Sequence, residues 1–456
     1  MRPDPFPPDE PQHAWAPSLA TSRAAAPRKG RGTVQQPLPR HQAWQREPVD
    51  DGWGGAAEDL PRAGGRHGPD ALPPSEPADD TGGADEGADP AARHPAGQPG
   101  TAAEPLGPEA VAGAPDRPAP LQVAEADPGP AGPRTTLHPV RVRRMLSSND
   151  SPDVPFSLSL NPYRGCEHGC IYCYARPSHA WLDRSPGLDF ETEIEVKTNA
   201  VERLREELAR PGHRPSPINL GAVTDPYQPA ERSWRLSRGL LELLVETGHP
   251  FTIVTKGAGI VQDLDLIARA AALGRAAVSI SLTTQDPRLA RLLEPRASAP
   301  HARWAAVRRL AEAGVPVAVN AAPIIPFLNE PEIERIAAQA AAHGAVALHY
   351  TVLRLPREVA PLFRQWLQDH VPERAERIMA RLQSMRGGRD NDSDFRHRMH
   401  GEGPWAALIA QRVEQAAARH GLARRLPRLD CSGFRPPAPP PRRRSAAQDT
   451  AQVELF

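Results

Sequence analysis

Cys166, Cys170 and Cys173 put three thiols inside eight residues, in the run Asn161-Pro162-Tyr163-Arg164-Gly165-Cys166-Glu167-His168-Gly169-Cys170-Ile171-Tyr172-Cys173-Tyr174-Ala175. A C-x3-C-x2-C spacing can anchor three irons of a four-iron cubane and leaves the fourth iron free for another ligand. S-adenosylmethionine can chelate that iron through its amino and carboxylate groups, which sets its sulfonium beside the cluster for one-electron cleavage. Gly165 and Gly169 let the backbone wrap close to the sulfurs. Two other uses of the thiols compete. A structural zinc site needs four ligands, and His168, the nearest further donor, is cramped by its neighbours. A transfer cluster of ferredoxin type needs a fourth cysteine, and only Cys431 is left, far along the chain.

Such a loop has to be positioned by a scaffold, and the surrounding pattern predicts one. Short aliphatic or β-branched runs alternate with longer stretches of helical period. A run over 156–160 leads into the cysteine loop and a helix over 199–209. The pairs 218–223 with 233–246, 251–255 with 263–273, 277–282 with 301–313, 315–325 with 332–342 and 346–353 with 359–369 follow. Six consecutive strand–helix units give parallel strands with right-handed crossovers, hence an α/β fold and a partial (β/α)6 TIM-like barrel. In such folds the active site lies at the carboxyl ends of the strands, where the cysteine loop sits. Helices over 374–385 and 405–420 form a C-terminal extension. Between them the polar stretch Gly387 to Gly403 reads as a substrate lid or a solvated loop.

Composition bounds the rest. The chain has 456 residues, and its 55 prolines crowd the two ends. Residues 1–133 are rich in Pro, Gly, Ala and acid and cannot bury enough apolar surface to offset chain entropy, which predicts a disordered arm. The expected domains are that arm, a barrel over 134–372, a helical extension over 373–435 and a disordered tail over 436–456. Lys plus Arg and Asp plus Glu are both 55, so net charge gives no argument for nucleic acid or for an acidic partner. Locally, 134–144 and 424–444 are basic. There is no apolar stretch long enough for a membrane span and no apolar signal core, and clustered thiols without a disulfide framework point to the cytoplasm.

The three cysteines, with Tyr172 in the aromatic slot before the third, resemble the radical S-adenosylmethionine superfamily. The run 161–175, Thr224-Asp225-Pro226-Tyr227-Gln228-Pro229-Ala230-Glu231, Glu294-Pro295-Arg296 and Ala322-Pro323-Ile324-Ile325-Pro326 are similar to a bacterial branch grouped with spore photoproduct lyase. The likeness covers about 137 to 431 and reaches Lys29-Gly30-Arg31-Gly32. It implies an enzyme with a [4Fe-4S] cluster on Cys166, Cys170 and Cys173 that cleaves S-adenosylmethionine to a 5′-deoxyadenosyl radical, served by a reductant such as flavodoxin or ferredoxin. Its substrate is open, with a DNA-related one among the candidates. It also implies that Tyr172 stacks near the adenine, that Thr224 and Asp225 approach the cofactor's amino group, that Ser279 or Ser281 faces the ribose and that Arg303 pairs with the carboxylate. Lys256, directly after the third strand, is a further candidate to touch substrate or cofactor. Spore photoproduct lyase uses an additional cysteine as hydrogen donor, whereas no cysteine lies between Cys173 and Cys431 here. Gln452, Leu455 and Phe456, at the end of the tail, resemble the short peptide that docks on the DNA sliding clamp.

Overall fold

A computed structural model describes residues 30–33, 35–37 and 134–438. These described residues belong to one compact unit. Ten strands are present among them: β1 (Thr136–Val140), β2 (Leu146–Ser148), β3 (Leu158–Leu160), β4 (Tyr163–Arg164), β5 (Glu193–Lys197), β6 (Ile218–Leu220), β7 (Phe251–Thr255), β8 (Ala276–Ser281), β9 (Val317–Ile324) and β10 (Ala347–Val352).

Six of them, β3, β6, β7, β8, β9 and β10, pair in parallel and in chain order, with β2 antiparallel on the far side of β3. Each is followed by a helix: Ala200–Leu208, Leu236–Glu246, Leu264–Ala271, Pro300–Glu312, Ile333–Ala342 and Val359–His370. This is the expected partial (β/α)6 barrel. Its central strand β8 is buried at every position, as a strand covered on both faces must be. The helices are amphipathic: in Leu264–Ala271, for example, Leu266, Ile267 and Ala270 face the core. The parallel run begins at β3 and ends at β10, and these two strands are not paired with each other, so the barrel is open between them.

Two features differ from the sequence expectation. A second sheet, in the order β1-β5-β4, stands beside the barrel. Its strand β1 lies within the basic 134–144 stretch, and β5 shows a period-two pattern in which Ile194 and Val196 are fully buried. The second concerns the expected arm. Residues 30–33 and 35–37 are bonded to the barrel domain: Leu188 N–H donates to Gln35 O at 3.1 Å, and Ser185 Oγ donates to Pro37 O at 2.7 Å.

The extension contains helices Pro372–Ser384 and Gly403–Arg419. After them the chain runs to the amino ends of the strands, where Asp430 N–H donates to Gly274 O and Arg435 N–H to Thr247 O, both at 2.8 Å. Cys431 lies on this segment, at the end of the barrel opposite the cysteine loop. Gln452, Leu455 and Phe456 lie outside the described residues, and so does the clamp peptide. Among the described residues no helix is long and apolar enough to cross a membrane.

Candidate active site

The cysteine loop leaves β3 at Asn161, whose Oδ1 accepts from the N–H groups of Val223 and Thr224 at 2.9 and 3.2 Å and ties the loop to the one after β6. Cys166 and Cys170 are buried and Cys173 is half-buried. The turn is tight: Gly165 and Gly169 have φ of +79° and +66°, in the left-handed region that favours glycine. A Cβ on Gly165 would stand 2.9 Å from Ile194 Cδ1.

Arg176 lies three residues after Cys173 and is fully buried. Its Nε donates to Cys170 O at 2.9 Å, its Nη2 to Gly169 O at 3.3 Å and its Nη1 to Gly187 O at 2.8 Å. Its charge is answered by Glu191 at 2.5 Å. The other oxygen of Glu191 accepts the Gly32 N–H at 2.8 Å, and Arg31 Nη1 donates to Glu191 O at 2.9 Å. Gly32 is packed so closely that a Cβ there would lie 1.8 Å from Gly169 O. The strap formed by residues 31–33 and 35–37 is thereby locked against the cysteine loop.

From the β6 side, Gln228 Oε1 accepts the Glu167 N–H at 2.9 Å, and Glu167 accepts the Ala230 N–H at 2.6 Å and pairs with Arg296 at 3.0 Å. Asp225 joins three segments. One oxygen accepts from Thr255 Oγ1 at 2.6 Å, the other from Lys256 N–H at 2.7 Å, and His168 Nδ1 stands 3.3 Å away. Burial by itself would raise the carboxyl, but His168 and the Lys256 and Thr255 donors outweigh it and hold it well below the ordinary carboxylate range. The Asp225 backbone N–H also donates to Cys166. Thr224 turns its hydroxyl to Tyr163 O at 3.2 Å, so its side chain supports the loop.

The inner wall is a buried polar cluster. The Tyr172 hydroxyl bonds Thr283 Oγ1 at 2.9 Å and Glu294, and Arg303 pairs with Glu294 while donating to Ser281 O at 3.0 Å and Ser298 O at 2.7 Å. Burial opposes ionisation of Glu294, but Arg303 and then Lys256 outweigh it and bring its carboxyl down to about 2. Arg303 is thus committed to Glu294 and two carbonyls, a structural pairing that spacing did not announce. The Ser279 and Ser281 side chains are buried on β8. The Lys256 ammonium lies 5.8 Å from the centroid of the Tyr172 ring and faces Cys170, Cys173 and Glu294. Of the residues singled out from the sequence, Asp225, Lys256, Tyr172 and Arg303 gather with the cysteines. Arg176, Glu191, Gln228 and Glu294 complete the site without having been assigned a role. A polar residue destined for full burial, like Arg176, leaves no local signal.

Burial pushes the Cys170 thiol up to about 12 and raises Cys166 as well. Thiols so enclosed become good ligands only where a positive metal centre compensates the thiolate charge. Among the described residues no three His, Cys, Asp or Glu side chains converge closely enough to share one metal ion. Three thiols that each hold a different iron of one cluster need not converge on a single ion. The donor set fits a cluster.

The family model described as "Radical SAM superfamily" matches residues 160–340. An uncharacterized protein of Mycobacterium tuberculosis is 34% identical over 324 residues, covering 70% of this chain and 88% of that protein. The chain belongs to the radical SAM superfamily. It is a radical SAM enzyme, of a class that uses a [4Fe-4S] cluster and S-adenosylmethionine. An uncharacterized protein of Methanocaldococcus jannaschii is 25% identical over 240 residues, 52% of this chain and 85% of that protein. Among solved structures, a spore photoproduct lyase variant with bound AdoMet and dinucleoside spore photoproduct is 16% identical, covers 63% of this chain and 80% of its own, and superposes with a TM-score of 0.44. This radical SAM enzyme carries its cysteine loop after β3, at the carboxyl ends of the strands, between the inner polar cluster and the N-terminal strap.

Proposed function

We propose that Cys166, Cys170 and Cys173 hold the [4Fe-4S] cluster and that the barrel mouth receives S-adenosylmethionine and an organic substrate. When bound, the cluster supplies an electron that cleaves S-adenosylmethionine to methionine and a 5′-deoxyadenosyl radical, which takes hydrogen from the substrate. The observation that carries the reading is a loop of three closely spaced thiols, two of them buried, at the mouth of a parallel barrel, with Lys256 facing Cys170 and Cys173.

The protein's own residues have separable tasks. Arg176, Gln228 and Asp225 fix the backbone of the cysteine loop, so that the thiols stay in place as charge accumulates. Lys256 offsets negative charge on the thiolates from the barrel side. Asp225, Tyr172 and Ser281 line the approach to the thiols and are the candidates to orient the cofactor. The enclosing strands and helices keep water from a reactive radical. The loop borders a cavity of about 420 Å³ whose lining includes His168, Gln228, Arg232, Arg296 and Arg309 with one carboxylate, Glu231, a predominantly basic rim suited to an acidic reductant such as flavodoxin or ferredoxin.

The test is anaerobic reconstitution followed by reaction with dithionite and S-adenosylmethionine. The expected products are methionine and 5′-deoxyadenosine. A protein that binds stoichiometric iron and sulfide yet forms no 5′-deoxyadenosine would overturn the proposal.

A further inference from the structure

Four arginines around the barrel mouth are held by carboxylates or by backbone carbonyls. Arg176 and Arg303 hold buried carboxylates. Arg386 is fully buried and, although its Nε has no hydrogen-bond partner among the described residues, it donates to Leu353 O at 2.6 Å, Arg398 O at 3.1 Å and Val352 O at 3.3 Å. Arg398 grips Asp153 through two hydrogen bonds of 2.5 and 2.6 Å.

Arg354 is different. It follows β10, and its Nη1 donates to Met399 Sδ at 3.4 Å, a weak acceptor. Its Nε is buried without a hydrogen-bond partner among the described residues. The acid that bears on it, Asp153, already serves Arg398, which also repels it. An arginine taken out of water normally gains a carboxylate or several carbonyls in return, because a buried charge without partners is costly. Here the return is missing.

Its location says what would supply it. The guanidinium carbon lies 5.4 Å from the centroid of the Tyr174 ring, and Tyr174 is the residue next to Cys173. Tyr174 belongs to the loop after β3 and Arg354 to the loop after β10, the two ends of the parallel run. Their contact spans the open side of the barrel, beside the cysteine loop. Lys256 and Arg398 add positive charge around Tyr174.

We propose that Arg354, on the Tyr174 platform and with Lys256 nearby, binds an oxyanion of the substrate, a carboxylate or phosphate group, and so sets which part of the substrate faces the cysteine loop. A guanidinium fork suits either group. The proposal rests on reading the barrel mouth as the place of reaction. S-adenosylmethionine also has a carboxylate, but Arg354 follows β10, the last strand of the parallel run, whereas Asp225 follows β6 and Ser281 ends β8.

The experiment is calorimetric titration of the reconstituted full-length protein with inorganic phosphate and, separately, with S-adenosylmethionine. Saturable phosphate binding is expected, weakened about tenfold or more in Arg354→Gln and less in Arg354→Lys, as for loss of a charged hydrogen bond. S-adenosylmethionine should bind in the presence of phosphate and keep its affinity in Arg354→Gln. Absence of saturable phosphate binding, or equal binding by Arg354→Gln, would overturn the proposal. So would competition between phosphate and S-adenosylmethionine with parallel loss of both, which assigns the site to the cofactor's carboxylate. Circular dichroism checks that each variant folds. Iron and sulfide are measured on the same samples, so a missing cluster counts against the proposed function while the phosphate titration still reads Arg354.

Discussion

Replacing Cys166, Cys170 or Cys173 by alanine takes away one of three anchors, and a cubane cannot keep three held corners on two thiolates. Iron and acid-labile sulfide after anaerobic reconstitution are expected to fall to background in each variant. Cys431→Ala should retain them, because Cys431 sits at the amino ends of the strands with its thiol 3.8 Å from Leu429 O. Cluster loss in Cys431→Ala with retention in Cys170→Ala would reverse the ligand assignment. Arg176 tests the support of the loop. Arg176→Ala strands the buried Glu191 and removes donors from Gly169 O and Cys170 O. Breaking such a pair costs about 3–5 kcal/mol. Denaturant unfolding should show that loss, with partial recovery in Arg176→Lys. A variant within about 0.5 kcal/mol of the parent, the range of ordinary surface substitutions, would deny Arg176 its positioning role.

At the level of elements, the strap formed by residues 31–33 and 35–37 is the piece that composition misjudged. It lies in a stretch of Pro, Gly and Ala, yet Gly32 meets the Gly169 carbonyl more closely than any residue with a Cβ can. Gly32→Ala must push the strap off or displace Gly169, one residue from Cys170. Reduced cluster content and a lower midpoint of thermal unfolding are expected. Gly259→Ala serves as the control, since a Cβ there meets nothing within 4 Å. Deleting residues 1–37 should weaken iron retention on gel filtration in the same way. Full retention after deletion would show that the strap is dispensable. The barrel's own elements behaved as their periodicity predicted, because apolar spacing along helix and strand reflects burial against the sheet.

For the molecule as a whole, the end of the C-terminal extension supplies a pH dependence. Phe434 packs on the rings of His213 and His249, with centroids 5.2 and 5.1 Å apart, and the two imidazoles meet at 3.0 Å. Burial lowers His249 to about 4 in the folded state. The unfolded chain takes up this proton near pH 6.5, whereas the native one resists until about pH 4. Both forms are neutral above pH 7, and stability is lost as pH falls from 6.5 towards 4. By pH 5 the loss is about 2 kcal/mol. Denaturant midpoints at pH 7.5 and pH 5 should show it, and His249→Gln should flatten the difference. An unchanged slope in that variant would place the acid sensitivity elsewhere.

The spacing of Cys166, Cys170 and Cys173 carried the cofactor class, because ligands that grip one cluster from one loop must be close in sequence. The six strand–helix units were equally legible, because burial repeats along each element with a period the sequence displays. Lys256 followed from standing directly after a strand, where a parallel sheet gathers its loops, and Asp225 from the family resemblance. Partners distant along the chain were not legible: Glu294 with Arg303 and Tyr172, Glu191 with Arg176 and Gly32, Arg354 with Tyr174. A buried polar side chain is acceptable only once another segment brings its counterpart, and no local pattern records which segment that is. Tertiary structure therefore decided that Arg303 is held by Glu294, that Cys431 lies away from the cysteine loop, and that Arg354 is held by neither a carboxylate nor a backbone carbonyl among the described residues.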